Sequence, residues 1–153
     1  MEIHRLTATD IDKLRALNAL FADAFDDADS YLRAPPDEAR SRRTLDKDHV
    51  IALVAVEGTA VVGGLVAYEL DKLEQARSEV YIYDLAVAES HRRRGIASRL
   101  IAALQRIAAA RDAHVIYVQA DYGDDAAIGL YTKLGAREDV MHFDITVTPR
   151  ERA

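Results

Sequence analysis

The chain has 153 residues, half of them apolar, and 20 Lys plus Arg against 26 Asp plus Glu give a net charge of −6. That length fits one domain with a substantial core, and the composition excludes a disordered chain. The negative balance argues against nucleic acid and favours a small polycation, while zero cysteines exclude disulfides, thiolate catalysis and cysteine-bound zinc. No apolar run approaches the ~18 residues of a membrane span, and Met1–Arg5 is no signal peptide, so the expected location is the cytoplasm with no membrane partner.

Ile3 to Leu6 is a short strand candidate. Thr9 is placed to cap a helix whose face carries Ile11, Leu14, Leu17, Leu20 and Phe21. Asp23, Asp26, Asp27 and Asp29 crowd a polar turn ending at Tyr31, and Pro35-Pro36 precedes a second helix from Asp37 to Leu45. Val50 to Val56 reads as a buried strand that turns at Glu57-Gly58-Thr59 into a strand over Val61 to Leu70. Gly63-Gly64 within it marks a bulge or a close backbone approach. Glu79 to Val87 is a central strand and Arg94 to Arg111 a long helix. His114 to Gln119 is a further strand, Asp124 to Leu134 a shorter helix with Gly135 as its C-cap, and Val140 to Val147 a last strand. Thr148 to Ala153 is a polar tail. The expected fold is a single mixed-sheet α/β domain over residues 1–153, in the order β-α-α-β-β-β-α-β-α-β.

Chemistry concentrates where the central strand delivers the chain to Arg92-Arg93-Arg94-Gly95-Ile96-Ala97-Ser98. A helix start offers unpaired N–H groups and partial positive charge, which suit phosphate. Gly95 allows close approach because it lacks a Cβ, and arginine forks match phosphate oxygens. Cations at a helix N-terminus are disfavoured unless an anion joins them. The stretch therefore reads as a pyrophosphate cradle rather than a solvated basic turn.

The spacing Arg92-x-x-Gly95-x-Ala97 resembles the acyl-CoA motif of the GNAT superfamily of N-acetyltransferases, Gln/Arg-x-x-Gly-x-Gly/Ala. Ala127-Ile128-Gly129-Leu130-Tyr131-Thr132-Lys133-Leu134-Gly135 is similar to that superfamily's Ala-x-x-Leu-Tyr-x-Lys-x-Gly helix. The order of elements matches the acyl-CoA N-acyltransferase fold across nearly all of the chain. Glu74–Val87, Val115–Asp125 and Met141–Ile145 resemble one branch, the type I aminoglycoside (gentamicin) 3-N-acetyltransferases. Two departures stand out: Asp124 where many members carry an Asn that contacts the pantetheine arm, and Ala136 where Phe is usual.

The resemblance implies acetyl-CoA as donor, held by Arg92 to Ser98 and by backbone groups of Leu85, Ala86 and Val87, with Asp124 a cofactor contact altered from the usual Asn. It implies Tyr131 as the acid for the departing coenzyme A thiolate; against this stands the reading of a tyrosine that merely anchors its helix. The base stays open among Glu79, Asp84, Asp121, Asp144 and a water relay. Alternation sets Glu79, Tyr81 and Tyr83 on one face of the central strand and Asp84 on the other, unless a bulge intervenes. Asp121, Asp124, Asp125 and Asp144, with Asp26, Asp27 and Tyr83, are expected to line the acceptor site, although Asp124 and Asp125 also suit helix capping. The five histidines show no metal spacing, so no metal is assigned. The reading is transfer of acetyl to the 3-amino group of 2-deoxystreptamine in aminoglycosides, by a homodimer. Its alternatives are an acetyltransferase for another polyamine or a protein amine, and a non-catalytic acyl-CoA-binding module.

Overall fold

Val50–Ala55 is an uninterrupted apolar run, and all six residues are buried, as a strand covered on both faces requires. They belong to β2 (Val50–Glu57), which pairs antiparallel with β1 (Glu2–Arg5) and with β3 (Ala60–Asp71). β4 (Ser78–Val87) continues antiparallel to β3, and β5 (Ala113–Val118) lies parallel to β4, so the sheet order is β1-β2-β3-β4-β5. A parallel pair needs a crossover, supplied by the long helix α4 (Ile96–Ala110). The computed structural model describes residues 1–147. The chain divides into two units, Met1–Gln119, which holds the whole sheet, and Ala120–Ala153.

Two adjacent glycines show which helix covers each face. A Cβ on Gly63 would lie 3.1 Å from Ile96 of α4, whereas one on Gly64 would run into Leu17 of α1 (Ile11–Ala24). Leu17, Leu20 and Phe21 accordingly pack with Ala52, Val54 and Ala86, and Ile96, Leu100 and Leu104 are buried beneath α4. The same hypothetical Gly64 Cβ stands 2.7 Å from the Leu53 carbonyl oxygen, a backbone atom of the next strand that cannot move cheaply. Gly64→Ala should therefore cost about 1–3 kcal/mol and lower the Tm by roughly 5–10 °C. Thermal unfolding followed by circular dichroism is the measurement.

Several expectations need correction. Asp10, not Thr9, is the N-cap residue of α1; its carboxylate accepts from the Thr7 N–H at 2.9 Å and from Lys13 at 2.7 Å. The acidic turn contains a short helix, α2 (Ala28–Leu32), because Asp27 accepts from the Ser30 N–H at 3.0 Å and caps it. Helix α3 (Glu38–Leu45) starts after Asp37 as expected, with Asp37 accepting from the Arg40 N–H at 2.7 Å. The Gly pair lies beside an irregularity in the β2–β3 register, where Ala55 faces Gly63 and Val56 faces Val61.

In the second unit, α5 (Asp125–Thr132) ends on Lys133 rather than Gly135. Val140 to Val147 forms no strand and is exposed throughout, Phe143 at 74% and Ile145 at 89%. Alternating apolar residues state which face of a segment wants burial; a strand forms only when a neighbour completes its ladder. The polar tail from Thr148 lies outside the described residues.

Candidate active site at the β4 bulge

Asp84 is the residue whose surroundings differ most from the alternation rule. In the β3–β4 register Val66 faces Asp84 and Ala67 faces Ile82, so Tyr83 is an extra residue on β4. A bulge of this kind re-aims the side chains around it. Val80 and Ile82 remain buried, Ala86 joins the α1 cluster, and Asp84 reaches Tyr31 of α2, whose hydroxyl donates to Asp84 Oδ1 at 2.6 Å. Tyr83 is 63% exposed, which leaves its ring available to a ligand. Tyr83 meets Tyr68 and Tyr81 edge to face, and Tyr81 stacks on Tyr117 of β5 with centroids 4.9 Å apart.

Burial raises the Asp84 carboxyl above the usual carboxylate range, and the Tyr31 hydrogen bond offsets part of that rise. Tyr31 is itself raised, first by burial and then by the Asp84 carboxylate, so it stays a protonated donor. Asp27 adds its field to Tyr31. Glu79, on the same strand, lies 3.7 Å from Lys72 and 3.6 Å from Arg77.

β4 then loses its neighbour. Its pairing with β5 runs from Ser78 to Ile82, and no β5 partner is recorded for Tyr83 to Val87. On the other side Leu85, Ala86 and Val87 stay paired with Leu65, Gly64 and Gly63. Among the described residues, β4 thus presents on that side backbone groups that no ladder takes up. Beyond a single 3-10 turn (Glu89–His91) the chain reaches the arginine turn, where Arg93 has φ 64° and Gly95 φ 74°. A left-handed arginine costs on the order of 1–2 kcal/mol.

Helix α4 starts without a side-chain cap and without an acidic residue in its first turn, so its leading N–H groups keep their capacity for an anion. A Cβ on Gly95 would meet nothing within 4 Å, so the turn is open on that side. Glu57 orients the turn: its carboxylate accepts from Arg94 at 3.1 Å and lies 3.0 Å from His91 Nε2. Arg92 donates to the Val87 carbonyl at 3.3 Å, tying the turn to the free end of β4. An uncapped helix start, a basic turn and a free strand edge fit the pyrophosphate and the amide-bearing arm of an acyl-CoA. Arg92 to Ser98 form this turn and the first residues of α4.

The second unit holds Asp121, Asp124, Asp125, Tyr131 and Asp144. Asp124 caps α5 by accepting from the Ala127 N–H at 3.0 Å, and Asp125 sits in the first turn, so the capping role of both is realised. Asp121 lies in the turn before them and is exposed, while Asp144 pairs with His142 at 3.0 Å. Tyr131 is partly buried on α5, and burial, with a contribution from Asp124, pushes its phenol up to about 12. Asp26 has φ 52° and adjoins Asp27 at the start of α2. Two residues escaped the sequence reading: Tyr31, whose partner is 53 positions away, and Glu57. The Asp27-x-x-Ser30 spacing was a usable signal for α2, but nothing local announces the Tyr31–Asp84 contact.

Residues 14–136 match the Acetyltransferase (GNAT) family. No curated protein matches the chain. Among solved structures, the chain is 52% identical to an aminoglycoside acetyltransferase from an uncultured soil metagenomic sample, with a TM-score of 0.94 over 96% of this chain and 98% of that one. A second aminoglycoside acetyltransferase from such a sample is similar in two complexes, each covering 96% of both chains. The trehalose complex is 32% identical with a TM-score of 0.89, and the sisomicin complex is 31% identical with a TM-score of 0.88. Together with the mixed five-stranded sheet, the match over residues 14–136 makes this chain a member of the GNAT family of acetyltransferases.

Proposed function

We propose that the protein transfers the acetyl group of acetyl-CoA to an aminoglycoside, at the 3-amino group of its 2-deoxystreptamine ring. The observation that carries the reading is the half-buried Asp84, aimed by a bulge to the face it shares with Tyr31, one residue before the free edge of β4. Support for an aminoglycoside acceptor comes from the relative that is 52% identical and from the sisomicin complex of the other. The 3-amino position rests on the sequence strings Glu74–Val87, Val115–Asp125 and Met141–Ile145.

Acetyl-CoA, when bound, supplies an acyl carbon activated as a thioester. Asp84 takes a proton from the acceptor amine, a task for which its raised pKa makes it a better base than an ordinary carboxylate. Activity that depends on Asp84 as base is lost as pH falls through its pKa. N–H groups in the Leu85–Val87 segment are the candidates to polarise the carbonyl oxygen. Tyr131 serves as the acid that protonates the leaving sulfur, because its phenol, at about 12, stays protonated at working pH. Asp26 and Asp27, and in the second unit Asp121, Asp125 and Asp144, attract the ammonium groups of the acceptor.

Incubation with acetyl-CoA and a panel of 2-deoxystreptamine drugs, simple polyamines and a lysine peptide, followed by thiol release, should show turnover with the drugs. NMR of the product should place the new amide on the 3-amino nitrogen. Turnover confined to polyamines or the peptide would replace the substrate, and coenzyme A binding without any turnover would leave a binding module.

A further inference from the structure

Tyr31 is the largest polar residue of an element that otherwise contributes nothing to the core, since no residue of α2 is fully buried. Its ring closes a three-membered aromatic cluster, with centroids 5.7 Å from Phe21 and 5.8 Å from Phe25, both on or next to α1. Its hydroxyl leaves that cluster and donates to Asp84 Oδ1 at 2.6 Å. The short helix is thereby fastened to the sheet at one carboxylate. The groups that share the field of this carboxylate are Tyr31 from α2, Tyr68 from β3, and Tyr81 and Tyr83 on β4, with Asp27 at the start of α2 acting on Tyr31. None of the five is a cation, so the Tyr31 hydroxyl supplies the compensation that offsets part of the cost of burying this carboxylate.

We propose that Tyr31 is a positioning residue for acetyl transfer: it anchors α2 on β4 and holds the Asp84 carboxylate ionised and oriented toward the acceptor amine. The assignment rests on Asp84 as the base. A hydroxyl at 2.6 Å also occupies one lone-pair direction of Oδ1, so the other oxygen, Oδ2, is the one assigned to take the proton. Removing the hydroxyl uncovers the burial penalty, so the Asp84 pKa rises further. Because the base works only when ionised, the acid limb of the rate profile then moves to higher pH.

The test is Tyr31→Phe, which keeps the ring in its cluster and deletes only the donor. The Asp84 carboxyl is titrated by carbon NMR in labelled protein, its resonance assigned by its loss in Asp84→Asn. kcat/KM for gentamicin is followed against pH in parallel, with a thermal melt as control. Loss of a hydrogen bond to a charged group corresponds to roughly one to two pH units. Both the NMR midpoint and the acid limb should rise by about that much. A merely structural tyrosine would lower the melting temperature and shift neither curve. An unmoved NMR midpoint overturns the positioning role. A midpoint that rises while the acid limb stays overturns Asp84 as the base, and the role of Tyr31 in transfer with it.

Discussion

Asp84→Asn should lower kcat by about 10²- to 10⁴-fold, the range contributed by a positioned general base. The substitution is close to isosteric, and the Asn oxygen still accepts the Tyr31 hydroxyl, so the bulge and the α2 anchor survive. Stability gives an independent check with a definite sign. The folded-state pKa of Asp84 lies above its unfolded value, so its favourable contribution is present below the unfolded pKa and is lost as pH rises through the folded one. The variant, which never ionises, should therefore gain on the wild type in melting temperature as pH rises through that window. Steady-state kinetics with saturating acetyl-CoA, and melts across pH, measure the two effects. Wild-type turnover in Asp84→Asn would move the base elsewhere, with Glu79 and its two cationic neighbours the next candidate on the same strand.

Tyr131→Phe should lower kcat by about 10²- to 10³-fold, a transition-state loss of no more than ~3–5 kcal/mol, while calorimetry finds coenzyme A affinity nearly intact. A packing role predicts the reverse split: turnover near wild type and a lower melting temperature. The pH profile separates the two tyrosine assignments. Burial and Asp124 put the Tyr131 phenol at about 12, so proton donation by Tyr131 persists throughout the usual assay range and its removal lowers the whole profile evenly. Removing the Tyr31 hydroxyl, in contrast, displaces the acid limb.

Much of the architecture was legible because it is written in local patterns. Seven consecutive apolar residues announce β2, spacings of three and four announce α1 and α4, and Arg92-x-x-Gly95-x-Ala97 announces the turn into α4. Gly95 takes the left-handed conformation that favours glycine, with φ 74°, and α4 begins uncapped behind it. Periodicity failed where it names a face without naming what covers it. Val140–Val147 has the alternation of a strand and forms none among the described residues, because its N–H and C=O groups find no ladder there.

By itself, then, the sequence determined the mixed sheet, the crossover helix, the basic turn and the set of acidic candidates, since each depends on residue type at short spacing. Tertiary structure alone decided which carboxylate is half-buried against a hydroxyl donor with its pKa raised. Whether Asp84 faces α1 or α4 turns on one extra residue in β4, and a bulge is a property of the paired strands, not of either strand alone. Whether its carboxylate finds a donor turns on Tyr31, 53 positions earlier on a helix held mainly by three aromatic rings. The free edge of β4 arises in the same way, from where β5 stops pairing. Contacts between distant segments set burial and hydrogen bonding, and those two quantities set the pKa of Asp84 apart from that of an ordinary surface aspartate.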